Sequence, residues 1–476
     1  MLAALILLPL LGAAVAWLIS SDRLRPMVLP LFSVTHLGIT LQLLAATPPA
    51  TPGGWFHLDA LGKIVLLVSS ILFMFCSLYA IGYLGYRRDR PNRVLCIGLL
   101  VCLSAASLVT VTHHLGLLWV ALEITTISMA PLIYFNHSAR SIEATWKYLL
   151  ICSVGVALAL IGLYFLAYAT IVSGAEPSLL LDDLMRDAPR LSSGWVHAAF
   201  VFLLVGFGSK MGLAPLHTWK PDAYGEAPGL VGAMLAGGLV NLAFLALLRI
   251  FQLCLATREI LFFQNALVVM GLISMFFAAI FMARQTDFKR MLAYSSVEHV
   301  GIMAVALGLG GRAIFGALFH VFANGLTKGV LFLSSGNIHR SFDSKSTNQV
   351  RGALRRLPWS GALFLAGFIA ITGSPPFAPF ISEFTIVSSA FIQGRMLVGA
   401  LFLISLTIIF IGMALTVLPM VMGEVPASSE KTSYRETAWT VGPPLAMLLL
   451  VFLLGVWIPA PLLAILNDAA ALLEVR

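Results

Sequence analysis

About fourteen apolar runs of roughly 20 residues follow one another along the chain, separated by short loops. A run of this length crosses a bilayer as a helix, which satisfies its own backbone hydrogen bonds in lipid. The chain is 59% hydrophobic and only 11% charged, with a mean hydropathy of +0.96. We therefore predict an all-α integral membrane protein. Its spans lie near residues 2–20, 27–46, 61–84, 94–112, 115–135, 143–172, 195–214, 228–251, 259–283, 288–309, 312–336, 359–392, 396–422 and 438–466.

The loops predict the orientation of this bundle, because cytoplasmic loops of membrane proteins are rich in Lys and Arg. Alternate loops carry most of the basic residues. We therefore predict that these loops are cytoplasmic and that both termini lie on the outer side. The basic residues on the predicted cytoplasmic side are Arg23, Arg25, Arg87, Arg88, Arg90, Arg93, Arg140, Arg284, Arg290, Arg340, Lys345, Arg351, Arg355, Arg356, Lys431 and Arg435.

Charge and cysteine content argue against several kinds of function. The net charge of +8 comes largely from these loops, so it does not predict nucleic-acid binding. The five cysteines lie in apolar segments without a CxxC pair, which argues against a disulfide framework and against zinc or iron–sulfur sites. No polar stretch is long enough for a soluble domain, so we expect no cofactor in this chain. Residues 1–20 lack the basic segment and cleavage site of a signal peptide and are expected to form the first helix.

Several predicted spans contain an ionisable residue. A charge at the centre of a membrane costs at least about 2.5 kcal/mol on insertion scales, so such a residue usually belongs to a transport pathway. A row of acids and bases indicates movement of protons or cations. These residues are Glu123, Lys147, Lys210, His320, Lys328 and Glu383.

Glu123 and Lys210 are an acid and a base in neighbouring odd-numbered spans. If they pair, the proton occupancy of the pair responds to nearby charge. The alternative is a fixed ion pair that pins two helices. Lys147 begins the sixth span, where it either belongs to the pathway or extends to the cytoplasmic interface.

The eleventh span places His320, Asn324 and Lys328 at i, i+4 and i+8. Helical geometry puts them on one face, about 6 Å apart along the helix, and such a stripe can hold waters for proton transfer. We expect no metal site, because no second His or carboxylate lies at ligand spacing along this span. Glu383 follows a break in the twelfth span, where an acid beside freed backbone groups can load or release a proton.

Two spans are interrupted in comparable ways. The seventh reads GFGSKMGLAP over 206–215 and the twelfth reads GFIAITGSPP over 367–376. Pro215, Pro375 and Pro376 lack the backbone donor that a continuous helix needs, so both helices are predicted to be broken. Paired breaks indicate an internal repeat. We predict a single membrane domain over 1–476. Its first repeat lies near 94–251, its second near 259–422, and its flanking helices over 1–93 and 438–476.

Three segments carry a resemblance to a known family. They read GFGSKMGLAPLHTWKPDAYGEAP over 206–228, TDFKRMLAYSSVEHVGIM over 286–303 and FHVFANGLTKGVLFLSSG over 319–336. With them, nearly the whole chain resembles the antiporter-like subunits of respiratory complex I. The sequence around WVALEITT and IEATWKYLLICSVGVALALIGLYF looks most like component F of hydrogenase 4 type membrane-bound hydrogenases.

The resemblance implies fourteen core helices, two inverted five-helix repeats with helices 7 and 12 broken, and a central hydrophilic axis. Glu123 and Lys210 match the family's glutamate on helix five and lysine on helix seven. Lys147 matches a basic residue that some members carry on helix six. Lys289 matches a lysine near the cytoplasmic end of helix ten, although a position at the membrane interface fits it too. Lys220 stands where the family usually has an apolar residue, and the sequence gives no account of it.

The resemblance also assigns residues in the second repeat. His320 and Lys328 match polar positions on helix eleven of the longest members, and Asn324 replaces a second histidine there. Glu383 stands where members differ between Lys and Glu. Asn241 occupies the position of a lysine that some members have on helix eight, so Lys328 is expected to be the central proton carrier instead.

The resemblance implies a proton-translocating subunit of a redox-driven complex in the cell (inner) membrane of a bacterium or archaeon. Its expected partners are other membrane subunits and peripheral redox subunits, either a nickel–iron hydrogenase or a dehydrogenase module, which would carry the cofactors. The alternative is a subunit of a multi-subunit Mrp-type Na+/H+ antiporter. A third reading is a structural membrane anchor whose charges are fixed pairs.

Overall fold

The computed structural model describes residues 1–257, 260–283, 285–425 and 432–474. Arg284 and Lys431, two of the basic loop residues named above, lie outside the described residues. The regular elements of the described chain are helices, joined by loops that contain three isolated β-bridges. The α-helices are α1 Leu2–Leu18, α2 Val28–Ala45, α3 Ala60–Tyr86, α4 Arg93–Val111, α5 Leu115–Ile133, α6 Ala139–Val172, α7 Leu181–Asp187, α8 Ser193–Met211, α9 Trp219–Glu226, α10 Gly229–Ala233, α11 Val240–Ala256, α12 Ile260–Met282, α13 Phe288–Leu309, α14 Arg312–Phe342, α15 Ala353–Arg356, α16 Pro358–Ile371, α17 Ala378–Ile392, α18 Met396–Met422, α19 Ala438–Val456 and α20 Ala460–Ala471.

The all-α membrane class is confirmed, whereas the count of fourteen spans is not. Within the described ranges, twelve helices are long and apolar enough to cross a membrane. The predicted first span is the shorter helix α1, and the predicted twelfth span is divided into α16 and α17. The predicted fourteenth span is also too long, because α19 ends at Val456 and α20 begins at Ala460, after Pro459.

Side chains at the helix starts explain several boundaries. Ser138 and Ser141 form a capping box at the start of α6, in which each hydroxyl accepts a hydrogen bond from the other residue's backbone N–H. Asp287 accepts hydrogen bonds from the N–H groups of Lys289 and Arg290 and so begins α13. Such caps satisfy donors that the first helical turn leaves free.

Both predicted helix breaks are present. The helix α8 ends at Met211 and is capped by Gly212, which has φ 75°, and α9 begins at Trp219. The second break contains Gly373 with φ 66°, between α16 and α17. A left-handed glycine ends a helix without a Cβ clash, and the prolines that follow cannot continue it. The peptide bonds 214–215 and 375–376 are both cis.

Three helical segments form the centre of the bundle. The continuous span Gly229–Ala256, which joins α10 to α11 through a π-helical segment at Met234–Leu239, is buried along its whole apolar stretch, as is α13. The helix α14 is almost as deeply buried. By contrast, most of the apolar stretch of α18 faces outward, as expected of a lipid-facing helix. Polar residues on the central helices are therefore shielded from lipid.

Candidate functional site

A row of ionisable side chains runs through the interior of the bundle, and we call it the buried axis. Two broken helices and the central helices supply its members. All but the half-buried Glu123 are at most 5% exposed. Unpaired charges in such surroundings carry a large desolvation cost, so each member is sensitive to the others. The axis consists of Glu123 on α5, Lys210 on α8, Lys220 on α9, Glu298 and His299 on α13, His320 and Lys328 on α14, and Glu383 on α17.

Glu123 and Lys210 form the first part of the axis. The Lys210 ammonium donates to the backbone oxygen of Leu122 at 2.6 Å and to the Thr126 hydroxyl. One Glu123 oxygen accepts from the Ser153 hydroxyl at 2.7 Å, and the other has no hydrogen-bond partner in the described part of the chain. No ion pair joins Glu123 to Lys210 among these residues, so the alternative of a fixed pair that pins two helices does not describe this structure.

Two serines on α13 connect the centre of the axis. The Lys220 ammonium donates to the Ser296 hydroxyl at 3.1 Å. The Lys328 ammonium donates to the neighbouring Ser295 hydroxyl at 2.7 Å. The two lysines thus approach adjacent residues of the same helix. Residues on three different helices therefore meet at one turn of α13.

The far part of the axis is a cluster of acids and histidines. His299 Nδ1 lies 3.0 Å from Nε2 of His320 and 3.9 Å from Oε1 of Glu383. His299 Nε2 lies 3.9 Å from Oε2 of Glu298. On its other side, His320 Nδ1 lies 2.8 Å from the Ser382 hydroxyl. Side chains from α13, α14 and α17 thus form a continuous hydrogen-bonding and electrostatic network.

This cluster also contains three groups that bind metals in other proteins. Ligand atoms of His299, His320 and Glu383 all lie within 4.8 Å of one another. The sequence expectation of no metal site considered spacing along the eleventh span alone. The additional ligand groups come from two other helices, which spacing within one span does not show.

Lys147 and Lys289 lie apart from the axis, near a charged cavity of about 820 Å³. The Lys147 ammonium lies 2.6 Å from Glu143 and 2.8 Å from Asp222, and its side chain is 45% exposed. Lys289 is buried beside this cavity and donates to the backbone oxygen of Ala227 at 2.6 Å. Charged residues lining the cavity include Arg140, Glu143, Lys147, Asp222, Glu226, Asp287, Arg290 and Lys345.

The two predicted asparagines are buried beside the axis. Asn241 donates to the backbone oxygens of Gly237 at 2.7 Å and Val321 at 3.3 Å, so it joins the π-helical segment to α14. Both polar side-chain atoms of Asn324 lack a partner within the described ranges. Pro215, like the prolines at 375 and 376, lies in a helix break and does not itself belong to the row.

A separate buried ion pair joins α3 to α11. Asp59 caps α3 by accepting from the N–H of Gly62 at 2.9 Å and receives a bidentate contact from the Arg249 guanidinium, with Nη2 to Oδ1 at 2.7 Å. Burial alone would raise the pKa of Asp59, but the charge and hydrogen bonds of Arg249 outweigh it and lower the pKa to about 2. This paired arrangement is structural and contrasts with the axis, where lysines contact neutral groups.

Sequence reasoning missed Glu298 and His299 and gave Lys220 no role. The signal for the first two was available, since an acid and a histidine stand side by side in the apolar run over 288–309. That is the criterion that identified Glu123. Lys220 was harder to interpret, because it lies after a helix break, where a lysine normally reaches solvent.

The chain is similar to known proteins in sequence and in fold. A model of the family described as NADH:quinone oxidoreductase/Mrp antiporter, TM, matches residues 112–412. The hydrogenase-4 component F homolog of Methylacidiphilum infernorum (isolate V4) is 32% identical over 481 residues, covering 99% of each chain. A chain of the membrane-bound sulfane sulfur reductase (MBS), an archaeal respiratory membrane complex, matches with a TM-score of 0.89 at 24% identity, covering 100% of this chain and 98% of that chain. A chain of the Mrp complex from Dietzia sp. DQ12-45-1b has a TM-score of 0.85 at 18% identity, covering 99% and 96%. The two solved structures are similar in fold.

Proposed function

The chain belongs to the NADH:quinone oxidoreductase/Mrp antiporter family, and on that premise we propose that it is a proton-translocating membrane subunit of a redox-driven complex. The complex is of the hydrogenase 4 type or the NADH-quinone oxidoreductase type. Partner subunits carry out electron transfer and hold the cofactors. These partners include either a nickel–iron hydrogenase module or a dehydrogenase module. This chain, with other membrane subunits, moves protons across the cell membrane of a bacterium or archaeon.

The continuity of the buried axis is the observation that supports this proposal. Lys220 and Lys328 bond neighbouring serines of α13, and three residues beyond Ser295 on the same helix Glu298 begins the cluster that reaches Glu383 through His299. Intramembrane ionisable groups mark ion pathways and proton relays, because their desolvation cost is retained only where function needs it. A purely structural set of charges would be expected to pair, as Asp59 and Arg249 do.

The Glu123 and Lys210 contacts suggest how the first part of the axis switches. In one state the Lys210 ammonium rests on the Leu122 carbonyl and the Thr126 hydroxyl, which are neutral. In the other state it moves to the Glu123 carboxylate and forms an ion pair. In the first state the positive charge of Lys210 is not compensated by a neighbouring carboxylate. In the second state Glu123 compensates this charge. Low polarisability of the surroundings lets that difference act over a distance.

The second part of the axis receives this change. Lys328 carries the central proton, and its charge acts on Glu298, His299 and His320. When Lys328 releases a proton toward this cluster, His299 and His320 pass it toward Glu383. Glu383 exchanges it with the outer side. Protons enter at the charged cavity at the opposite end, which Lys147 lines and beside which Lys289 is buried.

Orientation and internal symmetry belong to the same proposal. The charged cavity lies on the cytoplasmic side and both chain termini lie on the outer side, as the basic loops predict. Residues near 94–251 and 259–422 form two inverted repeats, each with one broken helix. The matched breaks at Gly212 and Gly373 support this arrangement.

A sodium/proton exchanger of the Mrp type is the second candidate, and fold similarity to a chain of the Mrp complex supports it. The hydrogenase-4 homolog is more similar in sequence and matches over its whole length, which favours the redox-driven complex. Copurification distinguishes the two. A redox-driven subunit is recovered with peripheral redox subunits, whereas an exchanger is recovered with small membrane subunits alone.

The direct test measures redox-driven acidification of vesicles that contain the assembled complex. Glu123→Gln and Lys210→Ala should each reduce acidification to about a tenth or less, since each removes a group whose charge the relay requires. Arg186→Gln, an exposed surface change, is the matched control. Normal pumping by an assembled Lys210→Ala complex would remove this residue from the mechanism.

A further inference from the structure

Lys220 is a fully buried cation for which neither the sequence nor the relay described so far provides a role. It lies on α9, in the short helix that follows the first break, and its exposure is 0%. Its ammonium donates to the Ser296 hydroxyl at 3.1 Å and lies 3.4 Å from the Ser296 backbone oxygen. The ring centroid of Tyr224 is 5.9 Å away. No carboxylate lies within ion-pair distance of Lys220 in the described chain.

A buried ammonium with only neutral partners is costly. Substitution of such a lysine by an apolar residue of similar length is expected to change the stability of the folded protein little, or even to increase it. The lysine therefore has one of two roles. Either its permanent charge anchors α9 to α13, or its side chain binds and releases a proton. The position of Lys220 in the axis distinguishes these two roles.

Lys220 lies between the two parts of the axis. Toward the first part, its side chain packs against Gly212, which follows Lys210 by two residues, and a methyl group at Gly212 would collide with it. Toward the second part, Ser296 is the immediate neighbour of Ser295, which binds Lys328. Lys220 therefore contacts the backbone beside Lys210 on one side and the neighbour of the Lys328 partner on the other.

The second break contains the same arrangement with an acid. Gly373 has a left-handed conformation like that of Gly212, and a methyl group added there would collide with the Glu383 carboxylate. In each break, an ionisable side chain from the second half of the broken helix occupies the space that a glycine leaves. Glu383 contacts the histidine cluster directly. By position, Lys220 is its counterpart in the first half of the protein.

We propose that Lys220 is a proton carrier that connects the Lys210 side of the axis to Lys328. This inference rests on the proposed function and adds a residue to it. One proton arrives at the neutral Lys220 amine from the Lys210 side and forms the ammonium. The same proton then leaves through the serine pair toward Lys328, which regenerates the amine. Because neighbouring buried ammonium groups repel each other, protonation of Lys220 or Lys328 favours release of the proton from the other.

Substitutions at Lys220 separate a carrier from an anchoring cation. Lys220→Met removes both the charge and the proton. Lys220→Arg keeps a permanent charge and hydrogen-bond donors but does not release a proton, since arginine stays protonated in proteins. Lys220→His restores a group that titrates. For a carrier, Met and Arg should each lower vesicle acidification about tenfold or more at unchanged assembly, whereas His should retain a substantial part of it.

An anchoring role predicts a different ranking. Acidification by Lys220→Arg close to the unsubstituted complex, with loss in Lys220→Met, would overturn the carrier assignment, as would full activity in both. If Lys220→Met does not assemble, the acidification rates of the Arg and His variants still distinguish the two roles, because each variant retains a polar group. A higher rate in Lys220→His supports the carrier, and a higher rate in Lys220→Arg supports the anchor.

The same assay separates failure of this inference from failure of the proposed function. Lys210→Ala and Lys328→Met are measured beside the Lys220 variants, with electron transfer by the complex recorded in the presence of an uncoupler. Inactive Lys210 and Lys328 variants with active Lys220 variants would contradict only the Lys220 assignment. Active variants at all three positions would contradict the proton relay itself.

Discussion

The two broken helices share a backbone design and differ in the charge they hold. In each, a left-handed glycine, Gly212 or Gly373, follows the end of the first half-helix, and the second half-helix begins after proline. In the first break, bases stand on both sides, at Lys210 and Lys220. In the second break, Ile371 takes the place that corresponds to Lys210, and the following half-helix carries Glu383.

The two breaks share a backbone design although their charges differ. The common design therefore serves to place an ionisable side chain in the interior, whatever its sign. A broken helix frees backbone groups and removes side-chain bulk at one point, so a charged group finds space there. Which sign it carries is a separate property. Bases toward one end of the axis and an acid with histidines toward the other give the two ends different proton affinities, as a directional relay needs.

The largest effect is expected at Lys328, where the parts of the axis that contain the two breaks meet. Lys328→Met should reduce vesicle acidification to about a tenth or less, because both halves act through this one ammonium group. Asn241→Ala should be mild, since Asn241 bonds only backbone oxygens in the structure. Acidification rates of the two assembled complexes provide the measurement. The opposite ranking would locate the relay on the span that contains Asn241.

Glu383 provides the next largest effect and tests whether the second break requires an acid or only a titrating group. Glu383→Gln should retain about a tenth of the acidification rate, because the amide neither binds nor releases a proton under these conditions. Glu383→Lys should retain more, since lysine still titrates and has histidines as neighbours. The two variants are compared in the same vesicles with assembly confirmed. Equal rates would show that titration at this position is not required.

The sequence predicts these breaks better than it predicts their occupants. Both interruptions were visible from glycine and proline, because these residues constrain the backbone locally wherever they occur. The residues that occupy the space beside the glycines lie eight and ten positions further along the chain. Their placement depends on how the resumed half-helix rotates, which local rules do not specify.

The histidine cluster shows the same distinction. Periodicity placed His320 and Lys328 on one face of α14, and the structure agrees. Periodicity could not predict that His299 and Glu383 lie beside that face, because their positions depend on the packing of three helices. Span counting was limited by a similar effect, since α1 and the halves of the twelfth span are shorter than a full crossing of about 20 residues.

A moderate effect is expected from filling the space beside the two glycines. Gly212→Ala and Gly373→Ala each place a methyl group against an ionisable side chain and put alanine in a left-handed conformation, which costs about 1–2 kcal/mol. We expect acidification to fall about three- to tenfold in both variants, mainly because Lys220 or Glu383 is displaced.

Gly394→Ala is the matched control for this pair. Gly394 also has a left-handed conformation, with φ 72°, but an added methyl group there meets no atom within 4 Å. It therefore has the same backbone strain without the collision. Equal losses at all three positions would attribute the effect to strain and not to the ionisable side chains.

The smallest effect is expected at Lys147, which lies outside both breaks. Its side chain is 45% exposed and bonds Glu143 and Asp222, and Arg290 also contacts Asp222 at 3.1 Å. In Lys147→Gln the Arg290 contact remains, so Asp222 keeps a cationic neighbour. Exposed ion pairs contribute about 0–1 kcal/mol and are screened by salt. We therefore expect acidification to change by less than about twofold and the difference to shrink as the ionic strength rises. A loss comparable to that of Lys210→Ala, unchanged by salt, would instead make Lys147 a member of the relay and extend the first break's row of bases to the charged cavity.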